Sequence, residues 1–187
     1  MKIKFILFLV PLIIAFGGCK NVAKITAEEA GEVITDYLKV NQEYKTARFN
    51  FGEIKFNSES DMIELGKYRQ LATEGYVSLA LKEAKKKFLS KDSSYVYLIK
   101  LTEKSSDLVL KQDANRATVK VLLYELASEK PVNFNQVNDN NAKVTVTLKK
   151  METPFSPFQK KAEENSEFMT KTYRLKMDKE EGWKVAK

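Results

Sequence analysis

The chain has no histidine, and its one cysteine is Cys19. These two facts remove Ser-His-Asp and Cys-His nucleophilic catalysis as usually built. They also remove the common catalytic zinc sites, whose ligands are histidine or cysteine. No Gly-x-Gly-x-x-Gly run or Walker-type loop occurs, so no glycine-rich turn is at hand to cradle a phosphate. Glycoside hydrolysis needs two carboxylates about 5 to 10 Å apart. Aspartate and glutamate are plentiful, but none interrupts an apolar run in the way that raises a carboxyl pKa. A Ser–Lys dyad wants Ser-x-x-Lys at a helix start, and Ser128-Glu129-Lys130 and Ser90-Lys91 are spaced otherwise. The residue types point away from an enzyme, and neither a cofactor nor a metal is expected.

Side chains suited to surface contact are easier to find. The run Lys82-Glu83-Ala84-Lys85-Lys86-Lys87 is the densest positive cluster. Each lysine near an anionic surface contributes about 1 kcal/mol of attraction, so Lys85, Lys86 and Lys87 are candidate contacts for lipid headgroups or an acidic polymer. The plain alternative is a solvated helix face or loop. In Thr153-Pro154-Phe155-Ser156-Pro157-Phe158 the prolines cannot donate ladder bonds, which predicts a rigid exposed loop. Phe155 and Phe158 would form a binding edge if that loop is exposed, or cap a core if it is not.

The N-terminus has the order of an export signal. Lys2 and Lys4 supply the charge, and Phe5 to Phe16 run without a charged residue. Twelve helical residues rise about 18 Å, short of a hydrocarbon core about 30 Å thick. The run closes on Phe16-Gly17-Gly18-Cys19. This ending resembles the lipobox of bacterial lipoproteins, with Gly17 and Gly18 at the small positions and Phe16 where leucine is usual. The resemblance implies removal of residues 1–18 and acylation of Cys19, which would leave no free thiol. Two or more acyl chains anchor stably where one is marginal. An ordinary secretory signal with a chance cysteine is the other interpretation. By resemblance to enterobacterial sorting, Lys20 after the cysteine favours the outer membrane if the cell has one. Residues 19–25 then form a short tether, holding a domain over 26–187 close to the bilayer.

Without residues 1–18 the chain keeps 30 basic and 25 acidic side chains, a net charge of +5. That excess, almost all lysine, suits an anionic lipid surface or envelope polymer better than nucleic acid in this compartment.

The elements that would position any site follow from periodicity. Thr26 with Glu29 is a capping box, and Ala30, Val33, Ile34, Tyr37 and Leu38 recur at helical spacing over 27–40. Phe49, Phe51, Ile54 and Phe56 alternate except at Gly52, which predicts one strand with a bulge. A second helix starts near Ser58 or Ser60 and ends at Gly75. Residues 77–88 fit strand or helix, with a slight preference for a short strand running into a lysine-rich loop. From Tyr95 onward, runs at 95–101, 107–110, 117–126, 142–148, 168–177 and 183–186 predict strands. The last two pair through the hairpin loop 178–182.

Two fold families resemble parts of this pattern. The stretch Tyr68 to Val77, followed by Leu101-Thr102-Glu103-Lys104-Ser105, is similar to the end of a winged-helix domain over about 26–110, with Ser105 where that family has glycine. The closing hairpin, Tyr173 to Met177 and Gly182 to Val185, resembles the last strands of nuclear-transport-factor-like domains. The expectation is an α+β fold, two or more N-terminal helices on a largely antiparallel sheet formed mainly by the C-terminal half. A division near 110–115 into helix-rich and β-rich parts is a further expectation. Functionally, the chain is expected to be a lipid-anchored, non-enzymatic envelope protein that binds a protein or envelope polymer. The rival is a carboxylate-dependent hydrolase of an extracytoplasmic glycan. A deep cleft with two acids would favour the rival, and a shallow lysine- or aromatic-lined groove would favour binding.

Overall fold

The computed structural model describes residues 24–86, 93–159 and 166–186. Residues 1–18, Cys19 and Lys87 lie outside them. The fold is α+β, with two helices in the N-terminal part and a mostly antiparallel, curled sheet built largely by the C-terminal half.

Helix α1 spans Ala27–Val40, and its predicted capping box is present in full: Thr26 accepts from the Glu29 amide and Glu29 reaches back to Thr26. Helix α2 spans Glu59–Thr73 and repeats the device with Ser58 and Asp61. Gly75, at φ 81, carries the chain out of α2. The first two strands are β1 (Glu43–Asn50) and β2 (Gly52–Phe56). The predicted single bulged strand is thus two strands, and they belong to different sheets. Gly52 has φ 93, a conformation that costs an L-residue about 1 kcal/mol or more, so the chain turns there instead of bulging.

Strand β3 (Val77–Lys86) pairs with β4 (Ser93–Leu101), and β4 also pairs with β2. The residues expected to form a lysine-rich loop therefore continue as strand through Lys86, because the partner β4 extends the ladder to Lys86↔Ser93. The larger sheet holds β5 (Val109–Gln112), β6 (Arg116–Leu126), β7 (Asn133–Asn138), β8 (Asn141–Glu152), β9 (Phe168–Asp178) and β10 (Gly182–Val185). Its order is β1-β6-β8-β9-β10, with β5 beside β6 and β7 beside β8. A 3-10 turn occupies Glu103–Leu108, so β5 begins later than the predicted 107. The predicted closing hairpin is present.

One inner face runs the length of the larger sheet and is covered by different elements at its two ends. At one end Ala30 and Ile34 of α1 pack with Val144, Val146, Leu148 and Leu175. At the other, Leu65, Tyr68 and Leu71 of α2 pack with Phe49, Phe56, Ile99 and Val119. The second cluster joins residues on both sides of 110–115, so the helix-rich and β-rich parts share buried side chains there.

A bulge in β6 links the two ends. Lys45 stands opposite Leu122 and Thr46 opposite Lys120, which leaves Val121 without a partner on β1. An extra residue of this kind strengthens local twist and bends the strand. The Thr153 amide donates to the Val121 carbonyl at 3.2 Å, and the Thr153 hydroxyl donates to the Lys120 carbonyl at 2.7 Å. Two carbonyls beside the bulge are thereby satisfied, and the proline-containing segment is fixed to the sheet.

Candidate functional site

That fixing decides the fate of the two phenylalanines. Phe155 is fully buried, its ring 5.1 Å from that of Phe49 and edge-on to it. The expectation of Phe155 as a surface contact is therefore corrected: Thr153 pins the segment inward, and Phe155 fills the core between β1 and the turn. Phe158 is partly buried, with Phe49 and Tyr68 rings each 5.0 Å away. Lys67 of α2 covers it, its Nζ 5.8 Å from the ring while donating to the Pro157 carbonyl at 2.7 Å. The segment expected to be an exposed loop is instead held against the sheet by Thr153, with its aromatic side facing inward.

The lysine cluster lies elsewhere. Lys85 is exposed on β3, an edge strand of the smaller sheet, with its Nζ 2.7 Å from Glu83. Lysine on an edge strand discourages pairing with another chain, which suffices to explain it. Lys86 closes the same strand. The structure does not bring these lysines and the phenylalanines into one site.

A different group of chemically capable side chains converges at the corner where α1 meets β1. Two residues, Asn41 and Gln42, link the helix to the strand. Asn41 caps α1, donating from its backbone amide and its side chain to the Tyr37 carbonyl at 2.8 and 3.1 Å. Tight closure places Glu43 on the inner face at the start of β1, beside the last turn of the helix. Lys171 and Tyr173 reach it from β9: the Lys171 ammonium donates to Glu43 Oε1 at 2.5 Å, and the Tyr173 hydroxyl donates to the same atom at 3.2 Å. Lys171 Nζ also lies 5.2 Å from the Tyr173 ring centre, and Tyr37 packs edge-on to Tyr173 at 6.0 Å.

Electrostatics here follow from burial. Removal from water, then the neighbouring Glu43 charge, hold the Tyr173 hydroxyl far above the usual phenol range. Tyr173 therefore stays protonated and acts as a donor. Tyr68, buried in the other core with its hydroxyl donating to the Asn50 carbonyl at 2.9 Å, is pushed upward mainly by desolvation as well.

Outside this clasp lies a shallow groove of about 540 Å³, lined by Tyr37, Val40, Asn41, Gln42, Glu43, Tyr44 and Lys120. Val40 is 82% exposed and Tyr44 44%, although both are apolar in body. Lys120 Nζ sits 5.3 Å from the Tyr44 ring centre. The walls thus combine aromatic rings, side-chain amides, one ammonium and one carboxylate. Such a set can stack on and hydrogen-bond to a polar ligand. Glu43 is the one carboxylate in the lining, whereas glycosidic cleavage calls on a pair. Among the described residues no cluster of three or more potential metal ligands occurs.

The sequence reading missed every residue of this groove. Six of the seven lie within 37–44, where a helix end and a short link carry no chemical motif, and the clasp partners Glu43 and Lys171 are separated by 128 positions. The nearest local signal was Tyr37 on the apolar face of α1, which reads as core. No family model, curated protein or solved structure matches the chain.

Proposed function

We propose that this chain is a lipid-anchored protein of the bacterial cell envelope that binds a neutral, hydroxyl-rich envelope polymer without cleaving it. The observation that carries the proposal is the groove at the α1–β1 corner, shallow, tyrosine-lined and holding one carboxylate. Sugar rings offer apolar faces to aromatic side chains and hydroxyls to amides. Tyr44, Asn41 and Gln42 supply both kinds of partner at an exposed corner. The Glu43 oxygen shared by Lys171 and Tyr173 acts as a structural acceptor in this account, not as a proton shuttle.

The anchor is supported by the lipobox-like Gly17-Gly18-Cys19 ending and by the absence of any other cysteine. No helix among the described residues is long and apolar enough to cross a membrane.

Binding is tested by calorimetric titration of the full chain with purified envelope glycan. Tyr44→Ala and Asn41→Ala should each weaken binding without lowering the melting temperature by more than a few degrees. Unchanged affinity in both variants would remove the groove from the binding site.

A further inference from the structure

The outer face of the larger sheet has no helix or second sheet packed over it among the described residues. Strand register places Arg48 of β1, Lys120 of β6, Lys143 and Lys149 of β8, and Arg174 and Lys176 of β9 on this face. The register also places the acids Glu125 and Asp178 on it. Glu125 stands opposite Lys149, and Asp178 is held by Lys184 at 2.9 Å. The surplus concentrates on β8 and β9, where Lys143 and Arg174 are direct cross-strand partners and Lys176 lies two residues further on.

Like charges directly opposite one another weaken a sheet. Lys143, Arg174 and Lys176 are all exposed, and none has an ion-pair partner among the described residues. A hollow of about 450 Å³ lies beside them, with Val137, Lys143 and Arg174 in its wall. Val137 is 54% exposed there. A basic hollow with an apolar lip fits a phosphate headgroup and the glycerol backbone beneath it.

Position selects the partner. The described chain enters at Lys24 and Ile25, and the Ile25 amide lies 3.5 Å from Gln136 Oε1 on β7. Gln136 is paired with Ala142, which is buried with Ile25 on the inner side. The chain therefore enters at the β7 edge of the sheet, and Lys143, the residue after Ala142, stands on the opposite, outer face. Five residue-to-residue steps lead from Cys19 to Lys24, and a chain of that length reaches about 17 Å at most. A lipid on Cys19 therefore brings the bilayer surface within range of this patch.

We infer that the outer face of β8 and β9, around Lys143, Arg174 and Lys176, lies against anionic lipid headgroups and sets the orientation of the domain on the membrane. The inference rests on acylation of Cys19 as proposed above. The groove is then set apart from this contact. It lies at the far end of α1 from the entry point, and fourteen helical residues rise about 21 Å. Lysines near an anionic bilayer add to the hold of the acyl chains, and salt screens their contribution.

The test uses the full-length processed protein in vesicles of phosphatidylglycerol with phosphatidylcholine, and in vesicles of phosphatidylcholine alone. Lysines are labelled with an amine reagent and quantified peptide by peptide, and the acyl mass on Cys19 is read from the same sample. Lys143 and Lys176 should label several-fold more slowly on the anionic vesicles, with Lys85 unchanged and the difference abolished in high salt. Lys143→Gln with Arg174→Gln should remove the protection of Lys176 while leaving the melting curve intact. Equal labelling on both vesicle types would overturn the orientation. So would equal protection by a soluble polyanion in place of vesicles, which would make the face a polymer site. A missing acyl mass would overturn the anchor itself, and the labelling pattern tells these failures apart.

Discussion

Lys171 and Glu43 stand three strand intervals apart in the sheet order β1-β6-β8-β9, yet the lysine Nζ and a glutamate oxygen meet at 2.5 Å. On a flat sheet three intervals are about 14 Å, more than facing side chains standing upright would close. The contact exists because the sheet curls, and the Val121 bulge in β6 supplies part of that bend. The pair then holds the two margins of the concave face together, with Tyr173 donating to the same oxygen.

Breaking the clasp should loosen the curl. Both side chains are about a third exposed or less, so the pair is neither a free surface contact nor a dry one. Lys171→Met should cost about 1 to 2 kcal/mol, the scale of a charge-assisted hydrogen bond. Chemical denaturation of the single and double variants with Glu43→Gln checks this. A coupling near zero would show that the two residues act independently.

Stability should fall at alkaline pH for a specific reason. A phenol whose folded pKa is raised stabilises the fold fully below the unfolded value of about 10 and loses that contribution as pH rises further. Tyr173 and Tyr68 both have raised values, chiefly through desolvation. Following tyrosinate absorbance through unfolding, these two of the eight tyrosines should ionise only as the protein melts. Tyr173→Phe should shift the alkaline melting limit upward.

The tip of the last hairpin has an acid counterpart. Asp178 accepts from Lys184 and from the Glu180 and Glu181 amides, which lowers its carboxyl to about 2. A depressed carboxyl stabilises above its unfolded value of about 4 and loses that effect as pH falls toward the folded one. In a carboxyl titration by nuclear magnetic resonance, Asp178 should titrate well below the exposed acids. Lys184→Met should return it toward the ordinary range.

Phe155 and Phe158 should separate in the same experiment. Phe155→Ala empties a fully buried site and should cost about 3 to 5 kcal/mol. Phe158→Ala should cost clearly less, since its ring is partly exposed. Equal losses by denaturant unfolding would contradict the packing described here.

Gly31 is set by proximity, not by backbone conformation. A methyl group on it would lie 2.1 Å from the Glu129 carbonyl oxygen, so α1 approaches the β6–β7 connection as closely as a bare backbone allows. Gly31→Ala should lower the melting temperature, although alanine is the better helix former. An unchanged or raised value would mean that this connection yields freely.

Much of the scaffold was legible because its signals are local. The capping boxes at Thr26 and Ser58, the apolar face of α1 and the closing hairpin lie within a few residues of what they specify. Strand β7 was missed because Asn133, Asn135 and Asn138 mimic a turn, while Phe134 and Gln136 alone face inward. Gly52 was read as a bulge because alternation on its two sides is the same in one strand or in two. Phe155 turned inward because Thr153 meets carbonyls of β6 more than thirty positions away. The groove was missed for a different reason. Six of its seven lining residues lie within 37–44, where the end of an amphipathic helix and a two-residue link read as an ordinary connection. Only Lys120 and the Lys171–Glu43 clasp come from far along the chain.

The most direct test of the proposed function is a magnetic resonance titration of the full chain with envelope glycan, with glycan length measured before and after. The account predicts shifts at Asn41, Gln42 and Tyr44 and glycan of unchanged length. Shortened glycan whose cleavage disappears in Glu43→Gln would contradict it and establish a hydrolase, and an unshifted groove would contradict binding at this corner.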